Sequence, residues 1–218
     1  MMTHLPALAP SPVTLAGQYV RLEPLQLIHA ASLWQIDQHA TAADLFRFLP
    51  DDVPLPAVTD MQAWITEKTS STDPLFYACV DQSTQQAVGR QALMRITPSH
   101  GVIEMGHVLW GPAMARRRLA TEAFFLFASH VFDTLRYRRF EWKCHALNQP
   151  SRAAALRFGF SFEGIFRQHM WVKGANRDTA WFSIIDEEWP ILSARYRRWL
   201  AAENFDPKGQ QIRALADI

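Results

Sequence analysis

The stretch EMGHVLWGPAMARRRLATEAFFLFASHVF, Glu104–Phe132, joins a strand pattern to a long apolar helix through three consecutive arginines. Apolar residues recur at helical spacing, so the helix is packed on most sides and its first turn is fixed against a sheet. A helix start already carries about half a positive charge, and Arg116, Arg117 and Arg118 add three more. Free N–H groups at a fixed helix start bind anions. The stretch therefore predicts an anion site, with a solvated arginine run as the alternative.

Composition limits the classes of protein that the chain can represent. Its 218 residues, 49% of them hydrophobic, suffice for one substantial core. A net charge of +1 gives no global attraction to nucleic acid or membrane, and we expect neither as a partner. Two cysteines in apolar runs indicate buried thiols in a reducing compartment, so we expect a cytoplasmic protein. The eight histidines offer no H-x-H or H-x-x-x-H pair, and we expect no metal.

The order of predicted elements gives the fold class. Alternating residues predict a strand at Gln18–Leu25, a hairpin from PLFYACV to AVGRQALMRI and a strand at GVIEMGHVLW. After the long helix, the sequence predicts a strand, a short helix, two further strands and a final amphipathic helix. This order implies one α+β domain on a mixed sheet. We expect a flexible N-terminal tail at 1–14, the domain at 15–200 and a C-terminal tail at 201–218.

Four short motifs, EMGHVLW, LATEA, NQPS and GFSFEG, follow one another at workable spacing between Val20 and Trp199. In this order the chain resembles the GNAT acyltransferase superfamily, and more narrowly its ribosomal-protein N-acetyltransferase-like branch. The resemblance implies a single domain with a strongly twisted mixed β-sheet flanked by helices. It also implies transfer of acetyl from acetyl-coenzyme A to a primary amine, on a protein N-terminus or a small molecule, by direct attack. A monomer or homodimer is expected.

The resemblance assigns the coenzyme to the opening stretch. Backbone and side chains of the loop and first helical turn would hold the pyrophosphate: Ala115, Arg116, Arg117, Arg118, Leu119, Ala120 and Thr121. The end of the preceding strand would bind the pantetheine amides through Val108, Leu109 and Trp110, with help from Asn148. This copy departs from the family pattern, because Ala115 replaces Gln or Arg and Arg118 replaces the first glycine. The arginines can compensate by charge-assisted hydrogen bonds to phosphate.

Glu104 is the candidate general base, directly or through a water that it holds, because amine attack requires loss of a proton near pH 7. Gly106 inside the strand predicts a bulge that splays the strand from its neighbour. The alternative makes Glu104 a surface carboxylate at a sheet edge. His107 is a second candidate for base or substrate contact: a regular strand puts it opposite Glu104, and a bulge brings both to one face.

A proton donor is needed for the leaving thiolate. Many superfamily members place a tyrosine seven residues after the motif asparagine, and here that position is Ala155. In the ribosomal-protein branch a serine three residues after the asparagine is implicated, which is Ser151 here. The alternatives are that Ser151 caps the following helix and that Asn148 belongs to an ordinary turn.

The resemblance places the hairpin with Arg167, His169 and Trp171 beside the acceptor. Two other classes of function stay open. One is a noncatalytic acyl-coenzyme A-binding regulator, which the missing glycine and tyrosine favour. The other is a nucleic-acid-binding module, for which the RYRRF and RYRRWL runs have no accompanying recognition motif.

Overall fold

The computed structural model describes residues 6–49 and 53–218. The strands formed by these residues are β1 (Leu15–Ala16), β2 (Val20–Pro24), β3 (Leu75–Asp81), β4 (Ala87–Thr97), β5 (Val102–Trp110), β6 (Arg139–His145), β7 (Ser161–Val172) and β8 (Ala175–Ile185). The α-helices are α1 (Ala30–Asp37), α2 (Ala42–Phe46), α3 (Val58–Thr69), α4 (Arg118–Ser129), α5 (Gln149–Arg157) and α6 (Trp189–Leu200). Short 3₁₀ segments precede α1 and follow α6.

The described strands form one sheet in the order β1-β2-β3-β4-β5-β6-β8-β7. Pairing between β5 and β6 is parallel, and every other pair recorded for the described residues is antiparallel. The connection through α4 makes the parallel pair possible, because parallel neighbours need a long crossover. The predicted single α+β domain with a mixed sheet flanked by helices is therefore confirmed.

The two faces of the sheet are covered differently. On the first, called the α4 face, aromatic residues of α4 and α6 pack against the central strands, and the Phe124 ring stacks on Phe158 at 4.6 Å between centroids. On the second, called the α1 face, α1, α2 and α3 cover β3 and β4, where Leu33 and Met61 pack with Phe76. Residues of β5, β6 and β8 on the α1 face are largely charged or polar, and the candidate site lies among them.

The helix α4 is anchored by a buried carboxylate in its first turns. Glu122, 4% exposed, accepts hydrogen bonds from the backbone N–H groups of Gln18, Tyr19 and Val20 at 2.7–2.8 Å. A Cβ on Gly17 would lie 2.5 Å from the Glu122 carboxyl carbon, so glycine permits this close approach. The acidic residue of the LATEA motif therefore ties α4 to the turn before β2.

The predicted long apolar helix is present as α4 followed by a π-helical turn, His130–Thr134. Within the described part of the chain, no helix is long and apolar enough to cross a membrane.

Residues of both segments predicted as tails contact the domain. Residues 1–5 lie outside the described residues, but the Ala7 N–H donates to the Pro98 carbonyl at 3.0 Å and Ala7 is buried. At the other end Leu215 is 3% exposed, and Trp199 Nε1 donates to Gln211 Oε1 at 3.1 Å. Both segments pack because their apolar side chains are removed from water against the domain.

We predict that Glu122→Ala lowers the free energy of unfolding by more than about 3 kcal/mol, because hydrogen bonds to a charged group contribute about 1.5–3 kcal/mol each. Urea denaturation measures the change. The control is Glu203→Ala, whose side chain is exposed after α6 and should change stability by less than about 0.5 kcal/mol. A loss of under about 1 kcal/mol for Glu122→Ala would show that the three bonds contribute little.

Candidate active site

The site is built on an early separation of two parallel strands. Strands β5 and β6 pair from Val102 with Arg139 to Met105 with Trp142, although β5 continues to Trp110 and β6 to His145. On its other side β5 carries a bulge, because its pairing with β4 moves from Gly106 opposite Ala92 to Leu109 opposite Arg90. The predicted bulge beside Gly106 is confirmed. It redirects the strand where the pairing with β6 ends.

Glu104 lies at this separation on the α1 face, opposite Met94 of β4. It is 3% exposed, so the interpretation as a surface carboxylate is wrong. Its Oε2 accepts from Arg95 Nη1 at 2.7 Å and from Lys143 Nζ at 2.9 Å. These cations compensate the cost of burying the carboxylate. Glu104 is thus a buried, fixed anion beside the cleft.

The bulge also determines the direction of His107. This residue has a positive φ of 48°, and its ring lies 5.0 Å from the Phe76 ring. Phe76 is opposite Ala92, which is opposite Gly106, so His107 reaches the α1 face that also holds Glu104. The alternative in which a bulge brings both side chains to one face is confirmed.

The loop from β5 to α4 leaves the helix start open. The carbonyl of Gly111 accepts from the N–H groups of Met114 and Ala115, and Arg116 takes a left-handed φ of 62°. Arg117 is the N-cap residue of α4, and no side-chain hydrogen bond caps the helix. Arg116 and Arg117 are exposed beside these amides. The arrangement suits an anion, since it combines backbone donors with two exposed cations.

Arg118 has a different environment from its two neighbours. Its guanidinium carbon lies 4.0 Å from the centroid of Tyr19 and 5.4 Å from that of Phe205. Thr121 is 1% exposed, and its hydroxyl accepts from Arg157 Nη1 at 3.0 Å. Both side chains are therefore used in packing α4 against the rest of the fold. Any phosphate contact from them would come from their backbone amides, as for the partly buried Leu119 and the buried Ala120.

The start of α5 lies on the opposite side of the strand separation. Asn148 is the N-cap residue, and its Oδ1 accepts from the Ser151 N–H at 3.2 Å. Helix capping therefore belongs to Asn148, and the interpretation of Ser151 as the cap is wrong. The Ser151 hydroxyl accepts from Trp142 Nε1 at 3.0 Å. Because Trp142 pairs with Met105 at the last ladder position, Ser151 is held next to the separation from the α4 face.

Cys144 lies beside Ser151, and burial raises the pKa of its thiol while the hydrogen bond with Ser151 opposes the rise. The thiol is therefore protonated near neutral pH. It acts as a buried apolar group at this position.

The hairpin of β7 and β8 borders the α1 face. Two extra residues bulge from β7 where pairing moves from Phe166 opposite Thr179 to Met170 opposite Arg177. His169 lies in this bulge, and its Nδ1 is 3.0 Å from Thr179 Oγ1. The other hairpin residues predicted to contact the acceptor, Arg167 and Trp171, are exposed.

Several residues at the cleft were not singled out from the sequence. The Phe48 ring lies 5.3 Å from His145, and Lys173 at the hairpin tip donates to the Phe46 carbonyl at 2.9 Å. The Lys173 contact joins α2 to the hairpin, and the Phe48 contact joins the segment after α2 to the end of β6. Burial lowers the pKa of His145, and the positive charge of Arg177 adds to this effect. His145 is therefore mostly neutral at pH 7.

A further set of charged residues, including Lys143, lines the α1 face of β6. The alternation in RRFEWKCH, with Phe140, Trp142 and Cys144 on the α4 face, could have indicated a polar face on the opposite side of β6.

Among residues 6–49 and 53–218, no group of three or more His, Cys, Asp or Glu side chains is arranged to hold a metal ion.

A mixed sheet whose parallel central pair separates beside an open helix start agrees with the resemblance to the GNAT superfamily. The family model described as an acetyltransferase (GNAT) domain matches residues 20–161. The chain therefore belongs to the GNAT acetyltransferase family, whose general activity is acetyl transfer.

Two solved structures support this membership at the level of sequence. A GCN5-related N-acetyltransferase from Brucella melitensis is 50% identical, with a TM-score of 0.95 over 98% of this chain and 97% of that one. A protein from Chromobacterium violaceum, described as a probable acetyltransferase of the GNAT family, is 38% identical, with a TM-score of 0.77 over 84% and 91% of the two chains.

A Vibrio cholerae protein provisionally described as a ribosomal-protein-serine acetyltransferase is 21% identical, with a TM-score of 0.68 over 81% of this chain and 99% of that one. At this identity the likeness concerns the fold alone. None of the curated proteins compared with the chain matches it.

We predict that Arg117→Glu weakens binding of coenzyme A roughly tenfold or more, because a charge-assisted contact contributes about 1.5–3 kcal/mol. The loss should be much smaller for acetyl-pantetheine, which lacks the pyrophosphate. Calorimetric titration of both ligands at two salt concentrations measures the difference.

Two variants serve as comparisons. Lys208→Glu makes the same charge change at an exposed turn and should bind both ligands like the wild type. Arg118→Glu should mainly lower the melting temperature, because its cation–π contacts are lost. Unchanged coenzyme A binding in both Arg116→Glu and Arg117→Glu would identify these arginines as a solvated run.

Proposed function

We propose that this protein transfers the acetyl group of acetyl-coenzyme A to a primary amine, on a protein N-terminus or a small molecule, by direct attack. The observation that carries the proposal is the separation of β5 from β6 beside the open start of α4. It offers a slot for an extended thioester with an anion site at one end. Family membership supplies acetyl-coenzyme A as the donor. The buried, unpaired Cys79 and Cys144 are compatible with a reducing compartment such as the cytoplasm.

The proposed slot has two sets of binding groups. Backbone groups of Val108, Leu109 and Trp110, together with Asn148, bind the pantetheine amides. The pyrophosphate rests on the N–H groups at the start of α4, and the exposed Arg116 and Arg117 neutralise its charge. Side chains of Leu109 and Ala120 are buried, so these residues contribute through the backbone.

The amine must lose a proton before it attacks. Glu104 accepts this proton, directly or through a bound water, and the amine nitrogen then forms a C–N bond with the thioester carbon. When the C–S bond breaks, the Ser151 hydroxyl gives its proton to the thiolate and regains one from the acetylated nitrogen. The balance is alkylammonium plus thioester to amide, thiol and one proton, which is held by Glu104 before release to water.

The acceptor enters from the α1 face in this proposal. His107, Arg167, His169 and Trp171 are the candidate contacts. Their mixed chemistry suits an amine that carries additional polar groups, and the protein would act as a monomer or homodimer.

A noncatalytic acyl-coenzyme A-binding regulator is the second candidate. Two departures from the family pattern favour it, since Ala155 occupies the position of the tyrosine acid and Arg118 that of a glycine. Both candidates bind the ligand, and turnover separates them. Release of free thiol in the presence of a panel containing an alanyl peptide, spermidine and an aminoglycoside is expected for the enzyme.

We predict that acetyl-coenzyme A raises the melting temperature of the protein. A ligand at about 100 times its dissociation constant stabilises the folded state by about 2.7 kcal/mol. Thermal unfolding with and without millimolar ligand tests this, with adenosine monophosphate as a control for unspecific anion effects. No shift would count against both candidate functions.

We predict that Glu104→Gln lowers turnover by about 10²-fold or more, as expected for a general base. Affinity for acetyl-coenzyme A should stay close to the wild-type value, because the carboxylate acts on the amine. Steady-state kinetics with the best acceptor of the panel provides the measurement. Unchanged turnover at neutral pH would assign Glu104 a purely structural role.

A further inference from the structure

A row of side chains with alternating charge crosses the α1 face of the sheet from β4 to β7. Its members in spatial order are Arg95, Glu104, Lys143, Glu141, Arg139 and Glu163. Neighbouring members lie within hydrogen-bond distance, for example 2.7 Å between Arg95 Nη1 and Glu104 Oε2 and 2.9 Å between Lys143 Nζ and Glu104 Oε2. The formal charges of the row sum to zero.

The side chains at the centre of the row are buried, and those at its ends are exposed to solvent. The side chains of Glu104, Lys143 and Glu141 are 4%, 8% and 9% exposed, whereas those of Arg95 and Glu163 are 49% and 39% exposed. Lys143 also lies over Trp181, with Nζ 3.7 Å from the ring centroid. The ring shields the ammonium from water, so its two carboxylate contacts are stronger than those of a surface pair.

Lys143 separates two carboxylates that the sheet forces together. Glu104 and Glu141 are direct partners across the parallel ladder, and directly opposite like charges destabilise a sheet. The Lys143 ammonium donates to Oε2 of both, at 2.9 Å and 2.7 Å. Lys143 is the first residue of β6 beyond the last ladder pair, so its ammonium lies where the two strands separate.

We propose that Lys143 is the positioning residue for Glu104: it keeps this carboxylate ionised beside Glu141 and holds its Oε2 towards β6. The inference rests on the proposed function, in which Glu104 accepts the proton of the amine. Lys143 itself is not assigned a contact with the substrate. A base must be ionised before each cycle, and removing the cation between two adjacent buried carboxylates favours proton uptake by one of them, although Arg95 still pairs with Glu104 and Arg139 with Glu141.

Other charged or titratable groups near Glu104, besides Lys143, also influence its protonation. Arg95 of β4 pairs with the same oxygen, His107 of β5 shares its face, and Glu141 of β6 is its direct neighbour. Because Arg95 is half exposed, its charge is better screened than that of Lys143.

The test compares Lys143→Met, Glu141→Gln and the double variant. Proteins labelled with ¹³C at the glutamate carboxyl carbons are titrated by NMR, and the Glu104 signal is assigned from its absence in Glu104→Gln. In Lys143→Met we expect the titration midpoint of Glu104 to move to higher pH by about one unit, the effect of a neighbouring like charge. In the double variant the midpoint should return towards the wild-type value, because the neighbour is then neutral.

Kinetics adds a second measurement in the same variants. The acidic limb of turnover against pH should move with the midpoint, while the KM for acetyl-coenzyme A stays unchanged. Lys68→Met is the matched control, because Lys68 pairs with Glu67 at the surface at 2.8 Å and should leave both profiles as in the wild type. Should Lys143→Met not fold, Glu141→Gln alone is expected to move the midpoint to lower pH.

An unchanged Glu104 midpoint in Lys143→Met, or in Glu141→Gln where that variant replaces it, overturns the inference. So does a moved midpoint with an unchanged acidic limb. Failure of the proposed function is recognised separately, because it appears as absent turnover in the wild type, and the carboxyl titration needs no acceptor.

Discussion

The short parallel ladder between β5 and β6 is the constraint on which the site depends. Hydrogen bonding ends at Met105 and Trp142, and the bulge after Gly106 bends β5 away from the direction that would continue it. Backbone groups beyond this point are therefore available on the side facing β6. Glu104 precedes the separation on one face, and Ser151 reaches it through Trp142 on the other. The candidate base and acid thus derive their positions from one irregularity in the sheet.

The two faces of this sheet bury different kinds of side chain. The α4 face buries aromatic rings, which gain stability from removal of apolar area from water and from ring contacts. On the α1 face, carboxylates and cations are buried between strands, which is costly unless each is paired. The pairing from Arg95 to Glu163 leaves that row of side chains neutral. A polar, water-poor surface of this kind can support proton transfer without unbalanced charge.

Local patterns in the sequence predicted the mixed sheet and the bulge at Gly106, because these follow from neighbouring residues. The role of Arg118 could not be predicted in this way, since Tyr19 and Phe205 are far away along the chain. The same holds for Thr121, whose partner Arg157 belongs to another helix. Burial of Glu104 depended on cations from two other strands. Ala7 and Leu215 pack through contacts that composition near the ends does not reveal.

The anchoring of α4 affects how the protein is made. Glu122 binds a turn 102–104 residues earlier in the chain, and Arg118 contacts a ring near the other end. Contacts at such separation form late, because a long segment must be ordered before they contribute. On the ribosome, Phe205 is synthesised after every strand of the sheet. The helix start therefore reaches its final geometry only after Phe205 has been synthesised, and a nascent chain that has not reached this residue exposes the loop arginines without a finished candidate site.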